Sequence, residues 1–444
     1  MTSDQVSEAG DKFYQARNYK QAVECYLEAA SRGNANANAK YRLGICYRDG
    51  LGVAKNYETC VKWLRAAADL GHADAQCSLG LRYERGEGVP KSETEAVKWY
   101  RKAAEQGDPV AQCNLGYCYE AGIGVPRSYE DAVSWYEKSA DQNNVRALNN
   151  LADCYQNGRG VRRDYAKALE LYRKAAQQGS TLAQCSIGLF YENGWGVTQD
   201  YAEATKWYKK AAEGGSAPAQ CNLAYCYQVG RGVPKSDADA VSWYKKAAEK
   251  GLARAQNNLA LCYEKGTGVA KNQQEAVKWY KKAAEQGDAV AQCNLGYCYE
   301  AGIGTAKSYT EAVKWYKKAA ENGSARAQNN LACCYQSGNG VPKNDAEALN
   351  WFRKAAVQGY TASQNSIGYC YEAGLGVSVD YEEAVKWYRS AALDGYAMAQ
   401  YNLGRCYETG RGVRMSIAEA IEWYEKAAAQ GNQKAKEGLA RLRG

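Results

Sequence analysis

Ser242-Trp243-Tyr244-Lys245 sets a serine three residues ahead of a lysine, the spacing that an acyl-transfer nucleophile and its base need on one helix face. No Ser-Asp-Asn or Lys-Thr-Gly accompanies it, and the serine's column holds Lys98, Ser134, Lys278 and Lys314 elsewhere in the chain. The pair therefore reads as a chance match on a helix. Gly-x-Gly recurs eleven times, but a phosphate cradle needs a strand before the glycines and a helix N-terminus aimed at the anion. Here a helix precedes each loop, and the middle residue varies freely among Leu51, Glu87, Ile123, Arg159, Trp195 and Arg231. His72 is the one histidine, so neither a histidine triad nor a histidine metal site can be assembled. No catalytic residue, metal ligand or cofactor is expected.

The 17 cysteines raise redox and metal chemistry next. Cys113/Cys118, Cys221/Cys226 and Cys293/Cys298 are each five residues apart on one expected helix. Five steps of about 100° put them on different faces, so the pairs should not bridge. They read as small buried hydrophobes. The balance of 57 basic against 49 acidic residues leaves +8, which raises nucleic-acid or anionic-surface binding. Its carriers, Lys209-Lys210, Lys245-Lys246, Lys281-Lys282 and Lys317-Lys318, fall late in expected helices, where cations favour the helix dipole. A solvated outer face explains them, and nucleic-acid binding is kept as an alternative.

What positions all these residues is a repeat. AQCNLGYCYEAGIG stands at 111–124 and again at 291–304. Leu or Ile followed by Gly or Ala recurs at Leu43, Leu79, Leu115, Leu151, Ile187, Leu223, Leu259, Leu295, Leu331, Ile367, Leu403 and Leu439, every 36 residues without insertion. A fixed period of this size marks stacked units that grow without splitting into domains.

Within a unit, Ala111, Leu115, Cys118 and Tyr119 share one helix face. Asp108 is placed to cap that helix, as are Ser180, Ser216, Asp288 and Ser324 elsewhere. The helix ends at Gly122, and Tyr129, Ala132, Trp135, Tyr136 and Ser139 face one way on a second helix. Small residues repeat at the Ala111 and Ala132 positions, with Ser363 and Cys60 as the exceptions. A tryptophan column runs from Trp63 to Trp423, broken at Leu171. It reads as core packing rather than a ligand cage.

The pattern A-x3-LG-x2-Y-x2-G-x-GV followed by Y-x2-A-x2-WY-x2-AA-x2-G, as in AQCNLGYCYEAGIGVPRSYEDAVSWYEKSADQN, resembles the Sel-1-like repeat family, a relative of the tetratricopeptide repeats. The resemblance implies an all-α fold, a right-handed superhelical α-solenoid of stacked helix-turn-helix repeats. It places a tetratricopeptide-like capping unit at 1–34, eleven repeats at 35–430 and a C-terminal capping helix at 431–444. The secreted, cysteine-rich branch of the family joins the two helices of each unit by a cystine. Here the second helices end in Ala-Ala, as at Ala103-Ala104, which argues against that branch. With a polar N-terminus and no long apolar run, a cytoplasmic protein without membrane insertion is expected.

The resemblance further implies that the first helices line a concave groove. Three columns fall there. Two after the marker stand Tyr117, Tyr225, Tyr297 and Tyr369, in a column that otherwise varies. One before it stand Asn114, Asn150, Asn222, Asn258, Asn294 and Asn330; five after it stand Glu120, Glu192, Glu264, Glu300 and Glu372. Tyrosine gives contact area at low entropic cost, asparagine can pair with an extended main chain, and glutamate suits a basic segment. The asparagines also have a structural reading, tying neighbouring units together. The expected function is a non-catalytic scaffold or adaptor holding a protein or peptide partner. The alternatives are a β-lactamase-like repeat hydrolase and polyanion binding through the lysine pairs.

Overall fold

The computed structural model describes residues 2–32 and 36–443; the expected boundary at 34/35 lies outside them. Among the described residues there are twenty-five α-helices and no strand, from α1 (Ser3–Gln15) to α25 (Gln433–Arg443), numbered along the chain. Odd-numbered helices are the first of each pair and even-numbered ones the second. Within each of two units, helices that follow one another in sequence pack together, and the chain is an all-α solenoid of repeats. It divides into two units, residues 1–219 and 220–444, with the boundary inside α13 (Ala217–Val229).

Local chemistry sets the helix ends. In α7 (Pro109–Ala121), the Asp108 carboxylate accepts from the Ala111 N–H at 2.5 Å. Ser180, Ser216, Asp288 and Ser324 accept in the same way at four other first helices. His72 takes the capping place of α5 (Ala73–Arg85), its Nδ1 accepting from the Ala75 N–H at 3.4 Å. An uncapped N-terminus leaves donors without partners, typically a loss of about 1 kcal/mol.

The Gly-x-Gly loop has a backbone explanation. Gly122 ends α7 in the left-handed region, φ 72°, where glycine carries no Cβ penalty. Gly124 is also left-handed, φ 68°, and a Cβ there would lie 2.4 Å from the Glu93 carbonyl oxygen of the preceding repeat. The loop is a tight turn that touches the N-terminus of the second helix before it.

Small residues and one ring make the core. Ala111 and Ala132 are fully buried, the latter in α8 (Tyr129–Asp141), so the two helices approach closely. The Tyr136 ring, fully buried, lies where a side chain on Gly116 would stand. Cys113 packs forward with Tyr136 and Leu151, whereas Cys118 packs backward with Tyr100 and Leu115. The five-residue spacing thus does put the two thiols on different faces. Fifteen of the 17 cysteines are buried; burial raises the Cys118 thiol to about 12, away from thiolate chemistry.

Candidate partner-binding face

The tyrosines two after the marker are exposed aromatics on first helices. Tyr117, Tyr225, Tyr297 and Tyr369 are 44, 42, 50 and 49% exposed. Their near neighbours on the same helices, such as Leu115 and Cys118 around Tyr117, are buried. Each ring therefore stands out of a packed helix rather than filling a gap. Tyr225 additionally carries the Arg231 guanidinium over its ring, 5.6 Å from the centroid.

The asparagines are largely occupied by the protein itself. Asn114 is buried and donates weakly to Cys77 Sγ at 3.9 Å, and Asn330 does so to Cys293 Sγ. Asn294 donates to Asn257 Oδ1 at 2.9 Å and accepts from Arg326; Asn222 accepts from Arg254. Asn258 accepts from its neighbour Asn257 at 3.4 Å. Asn150 is half-buried. Most of these bonds join one first helix to the next, about one period away, as the structural reading expects.

The glutamates have a second occupation, which sequence reasoning missed. Tyr136, Tyr280, Tyr316 and Tyr388, all fully buried, donate their hydroxyls to Glu120, Glu264, Glu300 and Glu372, sixteen residues earlier. Tyr208 donates to Glu192 likewise. Burial and the adjacent carboxylate push the phenols of Tyr136, Tyr280, Tyr316 and Tyr388 well above their ordinary value. The signal was present as a constant spacing between two columns read separately.

Several glutamates also hold an arginine. Glu120 pairs with Arg159 at 3.0 Å, Glu372 with Arg405, and Glu408 with Arg441 at 2.7 Å. Partial burial acts to raise the Glu408 carboxyl, but the bonds from Tyr424 and Arg441 win and hold it below its usual range. Glu264 and Glu300 bind only their tyrosine hydroxyl among the described residues.

The second helices show why the lysines sit where they do. Lys210, Lys246, Lys282 and Lys318 each lie over the tryptophan three residues earlier, 3.9–5.4 Å from its ring centroid. Trp99, Trp135, Trp351 and Trp423 are covered in the same way. The column is a cation–π arrangement on indoles that are buried at Trp315, Trp351 and Trp423 and half-buried at the others, and the second lysine of each pair belongs to it. Ser242 and Lys245 are both exposed on α14 (Asp237–Glu249). His72 is stacked on Tyr41, with ring centroids 4.7 Å apart, and burial lowers its pKa. Among the described residues no group of three His, Cys, Asp or Glu is placed to hold a metal ion, and no helix is long and apolar enough to cross a membrane.

Comparison with known proteins agrees with this architecture. The family model described as Sel1 repeat matches residues 8–34 and then eleven consecutive segments from 37–72 to 397–432. A crystal structure of a protective antigen of uropathogenic Escherichia coli with an SLR fold is 36% identical, with a TM-score of 0.73. That likeness covers 95% of this chain and 90% of the antigen. A Sel1 repeat protein from Oxalobacter formigenes is 33% identical with a TM-score of 0.54, covering 69% of this chain and 90% of its own. Among curated proteins nothing matches.

Proposed function

The chain belongs to the Sel1 repeat family, and from that premise we propose that it is a non-catalytic scaffold whose first-helix faces hold a protein or peptide partner. Sel1 repeat proteins generally mediate protein–protein interactions. The observation that carries the finer reading is the exposed tyrosine row, with three members, Tyr225, Tyr297 and Tyr369, in the second unit. Rings of this kind, held by a rigid helix and left without a core to fill, are what hot spots are made of.

Charge refines the partner. Where Arg159 and Arg441 sit on Glu120 and Glu408, the chain shows that this glutamate position accepts a guanidinium. Glu264 and Glu300 offer the same carboxylates without one, which favours a basic partner segment along the second unit. The residues at 1–34 and 431–444 act as caps in this reading, and the compartment is the cytoplasm. The second lysine of each pair has an intramolecular role over tryptophan, so the pairs support polyanion binding less than their number suggests.

The test uses the full chain. A variant with Tyr225, Tyr297 and Tyr369 changed to Ser should fold, by circular dichroism, and lose the partner that the wild type captures from its native lysate. A folded variant that keeps every partner would overturn the groove reading. Nitrocefin turnover by the wild type, abolished by Ser242→Ala, would overturn the non-catalytic one.

A further inference from the structure

The tryptophan column has one gap. At Leu171, in α10 (Tyr165–Gln177), a leucine stands where ten other repeats carry an indole. A cavity of about 360 Å³ opens beside it, floored by Ala140, Leu148, Leu151 and Leu171. In the preceding repeat, Trp135 packs against a cluster that includes Ala104 and Leu115, which stand 36 residues before Ala140 and Leu151. The cavity therefore lies where the missing indole would go.

Other departures from the repeat gather at the same place. Leu148 replaces a glutamine present in nine repeats, whose side chain elsewhere donates to a second-helix carbonyl, as Gln112 does to Ala104 at 3.1 Å. The change makes the floor apolar. Asn143 replaces glycine at the end of α8 and keeps the left-handed backbone, φ 59°. At the rim, Glu137 stands where all other repeats but the last have a basic residue. Lys167 stands where all others but one have an acid. None of this changes the fold, since α8, α9 (Val145–Asn157) and α10 keep the thirteen residues of their counterparts.

The rim's charges are arranged. Lys167 is turned onto the Tyr155 ring, 4.2 Å from its centroid, and Glu137 accepts from the Tyr155 hydroxyl at 3.1 Å. Lys174 holds the position of the lysine that covers an indole elsewhere; here it pairs with Glu170 at 2.7 Å. Asp141 makes no ion pair among the described residues and completes three carboxylates against two ammonium groups.

We propose that this cavity receives an aromatic side chain of a partner protein segment that carries a positive charge beside the ring. The ring completes the tryptophan column from outside the chain, with Lys174 over its face, and the neighbouring cation meets Asp141 and Glu137. This site is separate from the tyrosine row, so either can fail without the other.

The test is a capped Lys-Trp-Lys peptide containing 5-fluorotryptophan, followed by ¹⁹F NMR so that the protein's own indoles stay silent. Wild type should bind it with a Kd on the order of millimolar, the range for so small a ligand. Glu-Trp-Glu should bind at least about fivefold more weakly, and Lys-Trp-Lys should bind Asp141→Asn about two- to fivefold more weakly, the latter an effect the size of one partly screened ion pair. Leu171→Trp restores the chain's own repeat residue, so it should fold, by circular dichroism, and no longer bind. No binding to wild type, equal binding of the two peptides, or undiminished binding by Leu171→Trp would each overturn the proposal. So would equally tight binding of free indole, which would mean a small-molecule pocket. A wild-type dimer in sedimentation that Leu171→Trp dissolves would reassign the cavity to a second copy of the chain.

Discussion

Two rows of tyrosine run through this protein, and they have opposite fates. Tyr136, Tyr208, Tyr280, Tyr316 and Tyr388, on second helices, are fully buried and donate to a glutamate. Tyr117, Tyr225, Tyr297 and Tyr369, on first helices, stand 42–50% exposed. The side chain is the same; what differs is whether the neighbouring repeat closes over it. The buried row recurs in nearly every unit because each unit needs it to pack. The exposed column holds Leu81, Asp153, Leu189 or Arg405 in other units, since packing does not constrain it. A repeat protein thus separates structural from recognition residues by how strictly a column repeats.

The comparison breaks most sharply at the buried row. Tyr316→Ala, in α18 (Tyr309–Glu321), should lower stability by about 3–5 kcal/mol, the usual cost of an aromatic cavity, read from urea unfolding by circular dichroism. A loss under about 1 kcal/mol would mean that the stack collapses readily around the gap. Tyr316→Phe keeps the ring but strands Glu300, and should cost about 1–3 kcal/mol. The chain itself uses Phe352 opposite Gln336. Adding Glu300→Gln to Tyr316→Phe should therefore recover part of the loss, and no recovery would show that the carboxylate was not the source of it.

A smaller effect is pH-dependent. Burial holds the His72 pKa below its ordinary value, so the fold favours the neutral imidazole that caps α5. Its contribution is fully present above the unfolded pKa of about 6.5 and is lost as pH falls through the lower folded one. His72→Ser, the residue that caps several other first helices, should reduce the fall in urea midpoint between neutral and mildly acidic buffer. An identical fall in both proteins would place the sensitivity elsewhere. Smallest of all should be Tyr297→Ser, within about 0.5 kcal/mol of wild type, with any effect appearing in partner binding alone. A large loss of stability there would erase the distinction between the two rows.

Much of the architecture was legible in the residues. The 36-residue spacing, the capping residues Asp108 and Ser324, the stop at Gly122 and the opposite faces of Cys113 and Cys118 all follow from short-range rules. The candidate site was legible only as columns. That Glu300 already holds a hydroxyl depends on Tyr316, sixteen residues on and on another helix. That Asn294 ties two helices depends on Asn257, 37 residues back. The cover of lysine over tryptophan was overlooked although its three-residue spacing lies on one helix, because lysine's charge drew the reading toward solvent.

The sequence by itself determined the period, the helix ends and the columns that must be small or large, because steric and backbone constraints act within a turn or two of helix and repeat identically. Only the tertiary structure decided which polar side chains are already engaged and which stand free, and where the missing indole at Leu171 leaves a cavity. Those outcomes depend on side chains from separate helices meeting at hydrogen-bond and van der Waals distances, which a list of residue types does not contain.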